Sequence, residues 1–209
     1  MTALAPSAPR RLVLADRVFP RHLVVDITLI VLGAALTAGL AQISIPLQPV
    51  PITGQTLAVL LVGATLGAVR GGLSLTVYAA AGLIGLPVFA PEEDGSHIVG
   101  TAAFLGSSGG YIIGFIFAAI FVGWLSQREW DRKLVKALAT FVGGTLVVFA
   151  FGLPWLAFVT GAGVEQTLEW GLYPFILGGI IKALIAAGLL PLAWFGASKL
   201  EKRDEAEKS

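Results

Sequence analysis

The chain has 209 residues, of which 56% are hydrophobic and 13% are charged, and its formal net charge at pH 7 is +1. A soluble domain carries roughly 25% charged residues, so this composition excludes an ordinary soluble protein. The near-zero net charge gives no sign of nucleic-acid binding, and the lack of cysteine excludes disulfides and thiolate metal sites. The chain is therefore predicted to be a membrane protein.

Six apolar segments are long enough to cross a bilayer, which takes about 20 residues, or fewer where the ends are irregular. In chain order they cover residues 23–41, 55–69, 73–90, 110–126, 137–160 and 174–197. The alternating segments of about ten residues that form a membrane β-barrel do not occur. The first segment follows basic residues, as in a signal peptide, but its apolar core is too long for one. The predicted fold class is an all-α bundle of six transmembrane helices.

The basic residues lie in alternate connections between these segments. Apart from Lys182, every Lys and Arg lies before the first segment, after the second, after the fourth or after the sixth, whereas connections 42–54, 91–109 and 161–173 contain none. Because basic loops stay in the cytoplasm, both termini are predicted to be cytoplasmic. Residues 1–22 then form a cytoplasmic segment and residues 198–209 a cytoplasmic tail, on either side of one membrane domain, 23–197. We expect both end segments to be mobile.

Two connections that lack basic residues have unusual compositions. Residues 42–56, QISIPLQPVPITGQT, contain three prolines that prevent a helix, so this segment either lines a cavity or forms a surface loop. Gln55, at its end, is a candidate site residue because its amide both donates and accepts hydrogen bonds. Residues 90–110 are rich in glycine and small residues, which is typical of a lid. The lone His97 within them is expected to be solvated.

Two tyrosines and one acid lie within or next to the apolar segments. Tyr111, directly after two glycines, is either a ring for ligand stacking or an interfacial anchor. Tyr78 needs a partner for its hydroxyl, which either a cavity or another helix can supply. Asp26 lies close to Arg21, so we expect it to pair with that basic segment.

The sixth segment contains the one remaining cation, Lys182. An ammonium in the middle of a membrane helix costs about 2.5–3.5 kcal/mol, and no carboxylate lies at helical spacing in this segment. Lys182 is roughly 12 Å along the helix from Pro174, which is too deep to reach the outer surface comfortably. Asp26 lies near the opposite end of the bundle. We therefore expect a polar or anionic ligand to be the partner of Lys182.

Small residues recur every four positions in the first segment, in the pairs Ala34 with Ala38 and Ala35 with Gly39. Residues at this spacing share one helix face, so another helix can approach closely. Either packing inside the bundle or docking of another protein explains the pattern.

Four stretches resemble the BioY family, the biotin-binding S components of energy-coupling factor (ECF) transporters. They are IPLQPVPITGQTLAVLLVGATLG, GGLSLTVYAAAGLIGLPVFA, GSSGGYIIGF and PFILGGIIKALIAA, and the resemblance extends over residues 28–197. It implies a six-helix protein of the bacterial cell membrane that captures biotin from outside. The implied partners are biotin, membrane lipid, a transmembrane T component and two ATPase subunits; no enzymatic activity is implied.

The resemblance also implies roles for particular residues. The implied biotin-binding residues are Gln55, Tyr78, Tyr111 and Lys182, and the implied docking face for the T component contains Ala34 and Ala38. One position departs from the family, whose pattern is similar to G-D-x-x-K, because Gly179 stands where that pattern has its acid. The role of each polar residue toward biotin therefore stays open.

Other functions remain as alternatives at this point. The chain has no G-x-x-x-x-G-K-[ST] phosphate loop, so ATP must be hydrolysed by another subunit. No cofactor and no metal site are expected. The alternatives are an S component for another vitamin, a carrier that works alone, and an intramembrane enzyme, for which no nucleophile motif is present.

Overall fold

The computed structural model describes residues 13–207, and the side chains of residues 13–198. Arg10, Arg11 and Lys208, which contributed to the predicted orientation, lie outside the described residues. The elements are α1 (Leu14–Val18), α2 (Leu23–Ala41), β1 (Ser44–Ile45), β2 (Ile52–Thr53), α3 (Gln55–Leu83), α4 (Thr101–Leu105), α5 (Gly109–Ser126), α6 (Leu134–Thr160), α7 (Val164–Gly171) and α8 (Tyr173–Glu207). The predicted helical membrane fold is confirmed, with a short two-stranded sheet added to it.

Among the described residues, five helices are long and apolar enough to cross a membrane: α2, α3, α5, α6 and α8 as far as Ser198. All five begin within three residues of the start of a predicted segment. The helix α8 does not end where its apolar run ends, at residue 197, but continues to Glu207. Polar residues can extend a helix beyond the apolar stretch because helical hydrogen bonds do not depend on burial.

The helix α3 contains the predicted segment 55–69 and residues 73–83 of the predicted segment 73–90, because its chain reverses at Gly67. The predicted helical continuation over residues 84–90 is wrong, since those residues form turns and irregular backbone. Gly67 has φ 84° and ψ 176°, a conformation that a residue with a Cβ rarely adopts. A Cβ on Gly71 would lie 3.0 Å from the Cα of Gly63, although eight residues of straight helix would separate them by roughly 12 Å. The parts of α3 before and after Gly67 are called here its first and second limbs. With these two counted separately, the five long helices contain six apolar stretches. Six membrane crossings, with both ends in the cytoplasm, stay a prediction.

The helix α5 packs against both limbs of α3 through glycine. A Cβ on Gly63 would lie 2.7 Å from the carbonyl oxygen of Ala119, and one on Gly123 would lie 2.3 Å from the amide nitrogen of Ala68. The two backbones are therefore in direct contact, which is how helices associate in membranes without large side chains between them. The helices α6 and α8 pack onto this centre and bury Phe141 fully.

Ion pairs join three helices at the end of the bundle that carries the Lys and Arg residues, called here the basic end. Arg70 Nη1 donates to Asp26 Oδ1 at 2.9 Å, and Arg70 Nη2 donates to Asp16 Oδ1 at 2.7 Å. Arg21 pairs with Asp16 instead of Asp26. The expected pairing of Asp26 with the segment around Arg21 is therefore wrong, because Arg70 reaches Asp26 from the second limb of α3.

The segment before α2, which we expected to be mobile, contains the helix α1. Its Ala15 is buried, and the preceding Val13 packs beside Gly67. Burial of the Asp16 carboxylate opposes ionisation. Even so, the hydrogen bonds from Arg21, the Val13 amide and Arg70 hold the pKa of Asp16 below its usual range. A charged Asp16 thus stabilises this arrangement.

Two long connections meet at the opposite end, called here the cavity end. The strands β1 and β2 form an antiparallel pair in which Ser44 lies opposite Thr53, and the proline-rich residues 46–51 join them. The second connection contains α4. The Ser107 hydroxyl donates to the carbonyl oxygen of Pro49, so the two connections are in contact. Between the helices and these connections lies the candidate site.

Candidate ligand-binding site

A cavity of about 170 Å³ lies between the two connections and the helices α3, α5, α6 and α8. Residues 46–51 form part of its wall, which decides between the two interpretations of the proline-rich segment in favour of a cavity lining. Residues 90–92 and 106–108 of the second connection also line it. Irregular backbone is tolerated at membrane depth when it lines a cavity.

Three aromatic rings from three helices form one side of the cavity. Tyr111 on α5 stacks on Phe175 of α8, with 6.3 Å between ring centroids, and meets Phe149 of α6 edge to face at 6.4 Å. The Tyr111 hydroxyl donates to the carbonyl oxygen of Gly171 at 3.0 Å, which fixes the ring. Gly152 leaves room for this ring, because a Cβ there would lie 2.4 Å from it. The result is an apolar surface suited to a flat or bicyclic ligand.

A series of hydrogen bonds connects Lys182 with Tyr78 through the backbone and side chain of Thr53 and the side chain of Gln55. Its Nζ donates to the carbonyl oxygen of Thr53 and, at 2.9 Å, to Thr56 Oγ1. Thr53 Oγ1 donates to Gln55 Oε1 at 2.7 Å, and Gln55 Nε2 donates to the hydroxyl of Tyr78. An ammonium has three N–H donors, so Lys182 keeps one donor for a ligand.

The predicted site residues do not all reach the cavity. Gln55, Tyr111 and Lys182 line it. Tyr78 is 1% exposed and lies behind Gln55, where it also packs edge to face on Phe89, which lines the cavity. Its hydroxyl therefore has its partner in the other limb of the same helix, α3, and Tyr78 supports Gln55 instead of facing the cavity.

His97 belongs to the fold of the second connection. Its Nδ1 lies 2.9 Å from the carbonyl oxygen of Phe89, an acceptor, so Nδ1 carries the proton. Its backbone pairs with Pro91 in an isolated bridge. His97 is half-buried, whereas we expected it to be solvated.

Several cavity residues were missed in the sequence. Phe149 and Phe175 lie in apolar helices, where nothing in the sequence separates a cavity-lining Phe from a lipid-facing one. Thr56 follows Gln55 directly, and its position beside the predicted amide is the signal that could have identified it. Glu92 lines the cavity as well, and its carboxylate accepts a hydrogen bond from Gln48 Nε2 at 3.2 Å. Glu92 thus contributes a carboxylate to the cavity wall.

The small residues of α2 fall on two different faces. Ala34 is 8% exposed and belongs to the buried core, and Ala38 is half-buried against it. Ala35 and Gly39 face outward, and no atom lies within 4 Å of a Cβ built on Gly39. In this structure the small-residue surface available to a partner is that of Ala35 and Gly39.

The sequence comparisons agree with this architecture. A family model described as the BioY family matches residues 11–199. The chain belongs to the BioY family. A biotin transporter BioY of Rhizobium etli is 37% identical over 172 residues, which cover 78% of this chain and 89% of that protein. A probable biotin transporter BioY of Pyrococcus horikoshii is 39% identical over 163 residues, covering 77% and 91% of the two chains.

A solved structure shares the fold of this BioY chain. It is the crystal structure of the S-component for biotin from an ECF-type ABC transporter, with a TM-score of 0.63 and 28% sequence identity. The match covers 80% of this chain and 89% of that one. Together with its long apolar helices, these similarities make the chain a multi-pass membrane protein of the BioY family.

Proposed function

We propose that this protein captures biotin from the outer side of the cell membrane and delivers it for uptake together with an ATP-driven ECF module. That module consists of a transmembrane T component and two ATPase subunits. The observation that carries the proposal is the cavity of a BioY chain, which is lined both by the aromatic rings of Tyr111, Phe149 and Phe175 and by Lys182 with its hydrogen-bond partners. The role is transport and needs no cofactor, and energy comes from the partners.

Biotin has the chemistry that this cavity accommodates. Its bicyclic head and its aliphatic tail offer apolar area to Tyr111, Phe149 and Phe175. Its ureido group offers donors and an acceptor, and its carboxylate offers a negative charge to Lys182. Mostly apolar walls with a few convergent polar groups are typical of small-molecule sites.

Native mass spectrometry of the purified protein tests the proposal. We expect a bound mass equal to biotin, and calorimetry on ligand-free protein should then give one site per chain. A different bound vitamin would favour the alternative S component. Sustained uptake by the protein alone in liposomes, without ATPase subunits, would contradict the ECF partnership and favour the self-sufficient carrier.

We propose that the T component docks on α2, the helix that the family resemblance indicates. Ala34, one of the implied docking residues, is buried, so the outward residues Ala35 and Gly39 provide the close approach in this conformation. Ala35→Trp should keep biotin binding but abolish uptake by the full complex. Leu192→Trp, on an exposed face of α8, is the matched control and should leave uptake unchanged. Normal uptake with Ala35→Trp would rule out this face.

A further inference from the structure

The ammonium of Lys182 has hydrogen-bond partners but no charge partner. Both of its acceptors, the Thr53 carbonyl and the Thr56 hydroxyl, are neutral. Among the side chains that the structure describes, no carboxylate lies within 4.0 Å of Nζ. The carboxylate of the cavity wall, Glu92, accepts its hydrogen bond from Gln48. The Lys182 charge is therefore half-buried and uncompensated.

Gly179 leaves space beside this charge. It lies three residues before Lys182 on α8, a spacing that puts two side chains on neighbouring positions of one helix face, and both residues line the cavity. Apart from the adjacent backbone of α8 itself, a Cβ built on Gly179 would meet Thr145 Cγ2 at 3.8 Å and no other described atom within 4 Å. An acid at this position would reach Lys182 and neutralise it. With glycine there, the space is open to a ligand.

We propose that Gly179 makes the site selective for an anionic ligand, whose carboxylate binds Lys182 in the space that the missing side chain leaves. This inference rests on the proposed function. For biotin it places the carboxylate beside Gly179 and Lys182, and the bicyclic head against the rings of Tyr111, Phe149 and Phe175. A charge-assisted hydrogen bond between an ammonium and a carboxylate is roughly twice as strong as a neutral one. A carboxamide of the same shape makes a hydrogen bond but leaves the buried cation uncompensated.

The test compares biotin with biotinamide, in which a neutral amide replaces the carboxylate. Calorimetry on the wild-type protein in detergent should show biotin binding at least tenfold more tightly than biotinamide. Gly179→Asp should reduce this preference to less than about threefold, because the new carboxylate neutralises Lys182. Gly179→Asn, which has the same shape without the charge, is the matched control and should keep the preference even if both ligands bind more weakly.

Each outcome decides the inference. Equal affinity of the wild-type protein for both ligands would overturn it and leave biotin capture intact, and this comparison needs no variant. A preference that persists in Gly179→Asp would also overturn it. If the folded wild-type protein binds neither ligand, the proposed function fails and the inference fails with it. Lys182→Met, which removes the cation, should abolish the preference, and a preference that persists in this variant would again overturn the inference.

Discussion

The two ends of the bundle handle buried charge in opposite ways. At the basic end, Arg70 bridges Asp16 and Asp26, and Arg21 also pairs with Asp16, so each of these four charges has an opposite charge within the protein. At the cavity end, Lys182 has only neutral acceptors among the described residues. Both ends contain a partly buried cation, and the protein neutralises only one of them.

The paired charges of the basic end should therefore affect the stability of the fold, whereas the unpaired charge of Lys182 should affect ligand affinity. An ion pair whose partners are both inside the protein contributes to the folded state, and removing one partner leaves the other buried and uncompensated. A buried cation that is not neutralised destabilises the empty protein, and a ligand can recover that free energy when it binds. The two ends should therefore respond differently to the same kind of substitution.

Arg70→Met is expected to have the largest effect, on stability. It removes one of the two arginines, Arg70 and Arg21, that pair with the fully buried Asp16 side chain, and it removes the arginine that pairs with Asp26. Breaking a buried pair in this way costs about 3–5 kcal/mol. The thermal midpoint of the detergent-purified protein should fall strongly. Arg70→Lys keeps the charge but loses the two-pronged geometry of the guanidinium. Its thermal midpoint should therefore lie between those of the wild type and Arg70→Met. An unchanged midpoint in Arg70→Met would show that the network at the basic end contributes nothing.

Lys182→Met should have its main effect on ligand affinity. We expect at least a tenfold weaker Kd for biotin, about 1.4 kcal/mol or more, with little change in the thermal midpoint of the empty protein. The lost hydrogen bonds to Thr53 and Thr56 are offset by removal of a desolvated charge. Lys136→Met, at an exposed position of the basic end, should leave the affinity unchanged. Unchanged affinity in Lys182→Met would remove this residue from the site.

A smaller effect should appear as a pH dependence of stability at the basic end. Asp131 follows α5 with its side chain fully buried, and Trp194 Nε1 donates to its Oδ2 at 2.7 Å. Burial raises the pKa of Asp131 above its usual value, although the Trp194 hydrogen bond and the charge of Arg132 act in the opposite direction. Folding therefore favours the protonated form of Asp131. The contribution of this form to the stability of the folded protein is lost as pH rises through the folded-state pKa. Asp131→Asn should raise the midpoint by a few degrees at neutral pH and should have no such effect near pH 3.

The matching substitution, Asp16→Asn, should change the thermal midpoint in the opposite direction. The pKa of Asp16 is lowered in the folded protein, so its contribution is present above its ordinary value of 3.8 and is lost as pH falls through the folded-state pKa. Asp16→Asn should therefore lower the midpoint at neutral pH, and the difference from wild type should shrink in acid. Parallel pH profiles for the two variants would contradict this assignment. Thermal unfolding followed by tryptophan fluorescence between pH 3 and 8 measures both.

Much of the helical layout followed from hydropathy, whereas the side-chain partners did not. The segments at 23–41 and 110–126 became α2 and α5 almost without change, because about 20 apolar residues have few alternatives in a bilayer. The positive φ of Gly67 was not predicted, so the reversal within α3 was visible in the sequence only as the gap between segments 55–69 and 73–90. The hydrogen bond between Trp194 and Asp131 joins residues 63 positions apart and had no local signal.

For the site, the sequence by itself determined the composition: a buried lysine, a proline-rich segment that is not helical, and a glycine at position 179. These follow from the cost of burying a charge and from the backbone restrictions of proline. The tertiary structure alone decided that Gln55, Tyr111 and Lys182 line one cavity, that Tyr78 stands behind Gln55, and that no described carboxylate reaches Lys182. Distances between side chains on different helices depend on how the helices pack, and helical periodicity within one segment carries no information about that packing.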